Sequence, residues 1–320
     1  MILTAGKEMV RLENDQKYVD VVIPAYRPDE RLIKIIQRLK KQSYPVRHIY
    51  IINTRSGDFP EEVRNAKGVT VTEIEPEEFD HGATRDMGFS LSDAGFLVFM
   101  TQDAVPADRK LIEELMKPLL TSDEVGISYA RQLPAKDCDV IERYTRSFNY
   151  PGESRIKGRE DMEELGIKTF FCSDVCAAYR REIYQKMGGF TRRTIFNEDM
   201  VMAAKMVKSG YRIAYAADAR VVHSHNYSGI RQFKRNFDLA VSQADHPEVF
   251  AGVSSESEGI RLVCQTMKYL LRSRKGYLVP VLIYKSACKY LGYRLGKNYR
   301  RLPSFIVERC SASPSYWIKR

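Results

Sequence analysis

The sequence predicts an α/β protein built on a largely parallel sheet flanked by helices, with a helical and strongly basic extension at its C-terminal end. Three observations carry that expectation. Short apolar runs alternate with stretches whose apolar residues recur every three or four positions, the pattern of strands joined by crossover helices. With 320 residues, 44% hydrophobic and 29% charged, the chain is long enough for one large domain with an appendage, and it holds no repeat or low-complexity tract. The net charge of +10 is unevenly placed: residues 261–320 carry fourteen Lys/Arg against Glu308 alone, or +13, which leaves −3 for the rest.

VDVVIP (19–24) reads as the first buried strand, and DERLIKIIQRLKKQ (29–42), with Leu32, Ile35, Ile36 and Leu39 on one face, as the first helix. RHIYIIN (47–53) and VTVTEI (69–74) supply strands, GATRDMGFSLSDA (82–94) a helix and GFLVFM (95–100) a fourth strand. A helix over 108–120 and a strand over 124–130 extend the alternation; residues 131–168 break it and are expected to be irregular or a lid. Asn197 reads as the N-cap of a helix that stops at Gly210. YRIAYAADARVVHSH (211–225) reads as two short strands around a turn. Beyond it the pattern turns helical, so the expected domains are 1–225 and 226–320. Among six cysteines only Cys172 and Cys176 lie close together; a CxxxC pair without a second Cys/His pair reads as buried thiols.

In such a sheet ligands gather at the carboxyl ends of strands, where loops hold polar groups over the crevice. Asn53, Thr54 and Asp58 follow one strand end. FMTQDAVP (99–106) sets Thr101, Gln102 and Asp103 at another, with a proline closing the exit, and His223 ends the last strand. Singly, Asn, Asp and Thr are ordinary turn formers, and acids such as Glu198 and Asp199 are favoured in a first helical turn by the macrodipole. In order, the chain reads PAY (24–26), NTRSGD (53–58), FDHGATRDMG (79–88), TQDAVP (101–106), CSDVCAAYRREIYQKMGGF (172–190), NEDM (197–200) and VVHSHNYS (221–228). This order resembles the inverting family 2 glycosyltransferases of the GT-A fold, a Rossmann-like architecture, and within them the bacterial rhamnosyltransferases; the likeness covers about residues 19 to 240.

The resemblance implies a nucleotide-sugar site formed by Pro24, Ala25, Tyr26, Asn53, Arg85, Gln102 and Asp103. It implies that Asp103 and His223 hold Mg2+ or Mn2+ on the donor diphosphate, and that Asp199, beside Glu198 in the catalytic acidic pair, is the general base. Thr101 stands where the family's DxD-like motif has its first acid. Asn53 stands where an Asp usually accepts the N3 proton of uracil or thymine; its amide oxygen still accepts, without the charge. Arg231, Lys234 and Arg235 share a helical face that meets either the diphosphate or solvent.

The expected reaction moves L-rhamnose from dTDP-rhamnose, or alternatively a sugar from a UDP-hexose or UDP-galactofuranose, onto a hydroxyl of a lipid-linked cell-surface glycan. The tail interleaves Leu, Tyr, Val and Ile with Lys and Arg, which suits an anionic membrane surface. The same composition can bind nucleic acid, which is not the partner expected here. GYLVPVLIY (276–284) is too short to span a bilayer, and the N-terminus carries charges where an export signal needs an apolar run. The expected location is the cytoplasmic face of the inner membrane. With the donor motifs upstream, a chain cut near residue 260 is expected to keep donor binding.

Overall fold

The computed structural model describes residues 18–251 and 256–318; residues 1–17, on which most of the export-signal reading rests, lie outside them. Nine strands form one sheet: β1 (Val19–Tyr26), β2 (Val46–Thr54), β3 (Val69–Ile74), β4 (Phe96–Met100), β5 (Val105–Pro106), β6 (Val125–Leu133), β7 (Arg155–Lys157), β8 (Cys176–Arg180) and β9 (Arg212–Val222). The order is β3-β2-β1-β4-β8-β6-β9-β5, with β7 paired to β9. The run β3-β2-β1-β4 is parallel, as is β6 with β9. The sheet as a whole is mixed, because β8 lies antiparallel between β4 and β6. It starts where β4 ends, with Cys176 opposite Met100, so the carboxyl ends of the parallel strands and the beginning of β8 share one edge.

Helices α1 (Glu30–Leu39), α2 (His81–Leu91) and α3 (Leu111–Thr121) cover the sheet. Asp29 caps α1 through the Arg31 amide, and Leu32, Ile35, Ile36 and Leu39 are buried as their spacing predicts. Asp80 caps α2 through Ala83. Gly88 lets α2 lie against β1, since a Cβ there would sit 2.2 Å from Cγ1 of Val22.

Two expectations are corrected. Residues 131–168 are largely regular: they finish β6, form α4 (Val140–Asn149) under an Asp139 cap, and supply β7. Alternation was hidden there because α4 is rich in charge and β7 spans three residues. The turn expected within 211–225 is a bulge. β9 pairs with β6 up to Ala216 opposite Ala130 and resumes at Arg220 opposite Arg131, leaving residues 217–219 over. The strand therefore runs on in one direction and delivers His223 to the edge where Asp103 lies.

After α5 (Glu198–Lys208) and β9 the chain is helical: α6 (Gly229–Asp245), α7 (Glu256–Arg272), α8 (Val279–Lys297), α9 (Ser304–Cys310) and α10 (Pro314–Ile318). No helix among the described residues is long and apolar enough to cross a membrane. α6 and α8 approach through glycines: a Cβ on Gly292 would meet the Phe233 carbonyl oxygen at 2.2 Å, and one on Gly296 the Phe237 carbonyl oxygen at 2.3 Å. The extension also docks on α4, through stacked Tyr144 and Tyr269 rings 4.6 Å apart and a 3.0 Å pair between Lys285 and Asp139.

Replacing Gly292 by Val should force α8 off α6, because the obstacle is backbone that no rotamer can move aside. Overpacking of this kind costs about 1–3 kcal/mol, and thermal unfolding should register a lower Tm; an unchanged Tm would contradict the close approach.

Candidate active site

Asp103, three residues beyond β4, meets two histidines delivered by β9. Its Oδ1 is 3.5 Å from Nε2 of His223 and its Oδ2 is 3.2 Å from Nε2 of His225. The three groups offer ligand atoms that all lie within 4.8 Å of one another, the only such cluster among the described residues. Nδ1 of His223 is 2.9 Å from Oε1 of Gln132 on β6, and Arg146 donates to the same oxygen, which fixes the amide's orientation. An oxygen can only accept, so the imidazole proton sits on Nδ1 and Nε2 keeps its lone pair, which faces Nε2 of His225 at 3.0 Å beside the Asp103 carboxylate. Burial pushes His223 down to about 3, against the pull of Asp103, so the ring is neutral at physiological pH. Burial alone would raise Asp103, but the hydrogen bond from His225 and the other nearby groups outweigh it and hold the carboxyl well below the usual carboxylate range. This donor set, one carboxylate and two imidazole nitrogens with an oriented partner behind one of them, fits a divalent transition metal.

Behind His225 stands an aromatic and cationic ladder. Its ring stacks on Tyr227 at 4.7 Å, and the guanidinium groups of Arg231 and Arg235 lie over Tyr227 at 4.7 and 5.1 Å. Arg235 also covers Phe196, while Lys234 donates to the Ser311 carbonyl at 3.3 Å. Of the three basic residues on this face of α6, only Arg231 is an exposed side chain.

A second cluster lies along the same sheet edge. Arg85 of α2, 5% exposed, places Nε 3.3 Å from Oδ2 of Asp174 and Nη1 3.0 Å from Oε1 of Glu198, and donates to the His81 carbonyl at 2.9 Å. Its guanidinium thus faces two buried acids through Nε and Nη1. Glu198 begins α5. The Asn197 before it is left-handed, with φ 65°, and makes no side-chain cap; its amide instead reaches the Leu239 carbonyl at 3.4 Å. Asp199 accepts from the Asp174 amide at 3.2 Å and the Met200 amide at 2.7 Å, one on each oxygen. That fixes its carboxylate while leaving each oxygen a further acceptor site.

The three acids differ in their hold on a proton. Burial pushes Asp174 up to about 7 although Arg85 pulls the other way. Burial, followed by the negative charges of Glu198 and Asp174, drives Asp199 well above the ordinary carboxylate range. In Glu198 the charges of Arg85 and His81 outweigh burial and keep it low. One acid of the pair is thus neutralised by a cation, and the other is poised to take up a proton.

A cavity of about 980 Å3 opens between the ends of β1 and β2, where Tyr26 and Thr54 line it, and the Phe79–Asp80 turn before α2. Arg192 and Arg193 line it too. Ala25 pairs with Asn53 across β1 and β2, one step behind Tyr26, with Pro24 before it. Asn53 is buried, donates to Glu73 at 3.4 Å and leaves its Oδ1 without a partner. Gln102 is engaged elsewhere: its amide oxygen accepts from the Tyr26 N–H at 2.9 Å and its amide nitrogen donates to the Tyr26 carbonyl at 2.8 Å, so it holds the end of β1 in place. Residues from the tail, Ala312, Pro314 and Tyr316, also line this cavity. A chain cut near residue 260 would lack this part of the cavity wall.

The family model described as glycosyl transferase family 2 matches residues 20–188. The chain belongs to glycosyl transferase family 2. It is 35% identical over 304 residues to the O-antigen chain rhamnosyltransferase RfbN of Salmonella typhimurium, covering 93% of this chain and 96% of that protein. It is 36% identical over 302 residues to the O-antigen chain rhamnosyltransferase WbaN of Salmonella anatum, covering 93% and 95%. Among solved structures it superposes on the mannosyltransferase PcManGT of Pyrobaculum calidifontis, in complex with GDP-Man and Mn2+, with a TM-score of 0.58 at 15% identity, over 89% of this chain and 88% of that one. TarS of S. aureus in complex with UDP-GlcNAc gives a TM-score of 0.51 at 14% identity, over 89% and 91%. The fold is GT-A-like, a mixed sheet flanked by helices.

In this family 2 glycosyltransferase three site residues escaped the sequence reading. His225 lay in the HSH triplet, two residues past His223, which returns it to the same side of an extended chain. Asp174 stood in the CSDVC segment, but nothing in the local pattern marked 176–180 as a strand that starts at the site edge. Gln132 lies within 131–168, where the sequence shows no alternation to mark it as part of a strand.

Replacing Arg85 by Met should leave Asp174 and Glu198 as uncompensated buried acids, at a cost of about 3–5 kcal/mol. Without the cation both carboxyls bind protons more tightly folded than unfolded, so the variant keeps its stability at low pH and loses it as pH rises through the raised values. Thermal melts at pH 5 and pH 8 should show a deficit that widens with pH; equal Tm values for variant and parent at pH 8 would return Arg85 to a role on the donor.

Proposed function

We propose that this glycosyltransferase moves L-rhamnose from dTDP-rhamnose onto a hydroxyl of a lipid-linked polysaccharide precursor, with inversion at the anomeric carbon. The observation that carries the reading is the placement, along one sheet edge, of the Asp103–His223–His225 trio and the fixed, proton-seeking carboxylate of Asp199. The donor assignment is supported by the two O-antigen chain rhamnosyltransferases that match nearly the whole chain. The unpartnered Oδ1 of Asn53 supports a thymine or uracil base, whose N3–H needs an acceptor.

Asp199 takes the proton of the acceptor hydroxyl as that oxygen attacks the sugar. Its high proton affinity suits the task, since a base works best when its pKa approaches the working pH. Glu198 does not compete for this role, because Arg85 keeps it ionised and directed inward. At the other end Asp103, His223 and His225 would hold a divalent cation, Mn2+ in preference to Mg2+ given the imidazole donors; when bound it supplies positive charge for the departing diphosphate. Arg231, on the exposed side of Tyr227, adds charge to that end. No protein nucleophile is needed for a direct displacement.

Replacing Asp199 by Asn should leave nucleotide-sugar binding near the parent value while cutting transfer by about two to four orders of magnitude. The parent's kcat should fall as pH drops through the raised Asp199 value, since only the carboxylate accepts a proton, and the variant's residual rate should lack that limb. Near-parental turnover in a purified chain that binds dTDP-rhamnose would defeat the assignment.

The membrane is the partner expected for the extension. On and around α8, Tyr277, Ile283, Tyr284 and Leu291 are each more than half exposed, and Arg272, Arg274, Lys275 and Arg294 lie in the same region of sequence. Apolar side chains at headgroup depth with cations at the phosphates would hold the enzyme beside a lipid-linked acceptor, each basic residue adding about 1 kcal/mol near an anionic leaflet. Pelleting with phosphatidylglycerol vesicles should be strong at low salt and weaken steeply as salt rises; indifference to such vesicles at low salt would remove the membrane from the account.

A further inference from the structure

We infer that the C-terminal segment, residues 311–316, is a wall of the nucleotide-sugar cavity, with Tyr316 as a positioning residue that fixes the loop leading into the Glu198–Asp199 pair. The inference rests on the reading of the cavity as a donor site and adds to it an element more than a hundred residues beyond the acidic pair.

The segment is tied down by partners on α6. The Ser311 carbonyl accepts from Lys234, and the Ala312 amide donates to Asp238, itself 2% exposed, at 2.8 Å. Beyond them the Trp317 ring lies 5.5 Å from that of Tyr299. One apolar cluster joins Phe237 and Val241 of α6, Tyr299 and Val307 of the tail, and Ile195 of the acidic loop, with Phe196, Tyr316 and Trp317 packed against it. Tail and acidic loop thus share a core.

Tyr316 makes the connection specific. Its hydroxyl donates to the Arg193 carbonyl at 3.1 Å, while the Arg193 amide donates to Oδ2 of Asp80 at 2.9 Å. Arg193 is left-handed, with φ 55°, a conformation that costs about 1 kcal/mol or more for a residue with a Cβ and persists only where the surroundings impose it. Here the turn before α2 holds one side of the residue and the tail the other. Four residues later Asn197, also left-handed, opens α5 and sets Glu198 and Asp199. The same Tyr316 lines the cavity with Tyr26, Phe79, Arg192 and Arg193. Aromatic rings suit a nucleobase and guanidinium groups suit phosphate. The cavity's volume, about 980 Å3, is at the upper end of that for small-molecule sites, large enough for a nucleoside diphosphate sugar.

The probe is dTDP with Mn2+, titrated calorimetrically against the full chain, Tyr316→Phe and Tyr316→Ala, with initial rates for varied dTDP-rhamnose. Tyr316→Phe keeps the ring and drops the hydrogen bond, so kcat should fall several-fold with the dTDP Kd little changed. Tyr316→Ala also removes the wall, so the Kd for dTDP and the KM for the donor should rise about tenfold, while the KM for acceptor stays put. Circular dichroism melts establish that each variant is folded; should Tyr316→Ala fail to fold, Pro314→Gly, which leaves Tyr316 in place, provides the wall test. Parental Kd and kcat in the folded variants would overturn the inference while leaving the donor reading standing. A rise confined to the acceptor KM would overturn it too, by making the cavity an acceptor site. If the parent chain binds neither dTDP nor any other nucleoside diphosphate, both readings fall together.

Discussion

The site depends on one desolvated cation. Arg85 is buried between Asp174 and Glu198, on three elements that are remote in sequence: α2, the approach to β8, and the start of α5. A guanidinium removed from water is tolerable only where carboxylates and carbonyls replace its hydration, so those elements must meet wherever the chain is folded. Their meeting explains why Asp199 is held as it is. The backbone amide of Asp174 that orients the Asp199 carboxylate belongs to the same residue whose side chain faces Arg85. The price of the arrangement is a site with more acid than base, and Asp199, lacking a cation of its own, carries the imbalance as a raised affinity for protons.

How much of this was legible in the sequence follows from the physics of each element. Strands buried on both faces, such as FLVFM, and amphipathic helices, such as α1, announce themselves by period, because burial leaves little freedom in residue type. Asp103 and His223 were legible as polar groups at strand ends, and a metal-holding role for them was implied only by the family resemblance. β8 was not, since an antiparallel insertion into a parallel sheet is decided by tertiary pairing and CAAYR has no strong period of its own. For Gln102 and Arg85 the sequence marked the residues but not the protein groups they would meet. A sequence shows which polar groups reach an edge, whereas which of them face inward depends on burial. Gln102 turned to the backbone of Tyr26, and Arg85 to two acids, one of which lay in an unrecognised segment.

The extension was legible as charge and helix, but its attachment was not. Its basic residues suggested one exposed surface, whereas the structure divides them. Lys285 pairs with Asp139, Lys234 reaches Ser311 from α6, and burial lowers Lys289. What remains outside is a set of aromatic and aliphatic side chains around α8 with Arg and Lys near them. The glycine contacts between α6 and α8 make the difference. Two helices that touch backbone to backbone cannot rotate about each other, so the outward stripe of α8 keeps a fixed orientation relative to α6, which carries Arg231 and Arg235 toward the trio.

The two chemical ends of the site have separate supports. Asp103, His223 and His225 depend on the ends of β4 and β9 and on Gln132 of β6, a framework of sheet hydrogen bonds. Asp199 depends on the start of β8, Arg85 of α2 and a loop with two left-handed residues braced by the tail. A reaction that develops charge at both ends at once needs the distance between them to be constant, and sheet pairing alone fixes only the first. The acidic end hangs on a short helix whose entry is not capped by its own Asn197 side chain, so its position must come from packing around it. That packing is the cluster shared by Ile195, Phe237, Tyr299 and Val307. The helical extension is thus part of what sets the position of the acidic pair, and the chain beyond residue 226 packs into the same core as the loop that leads to it.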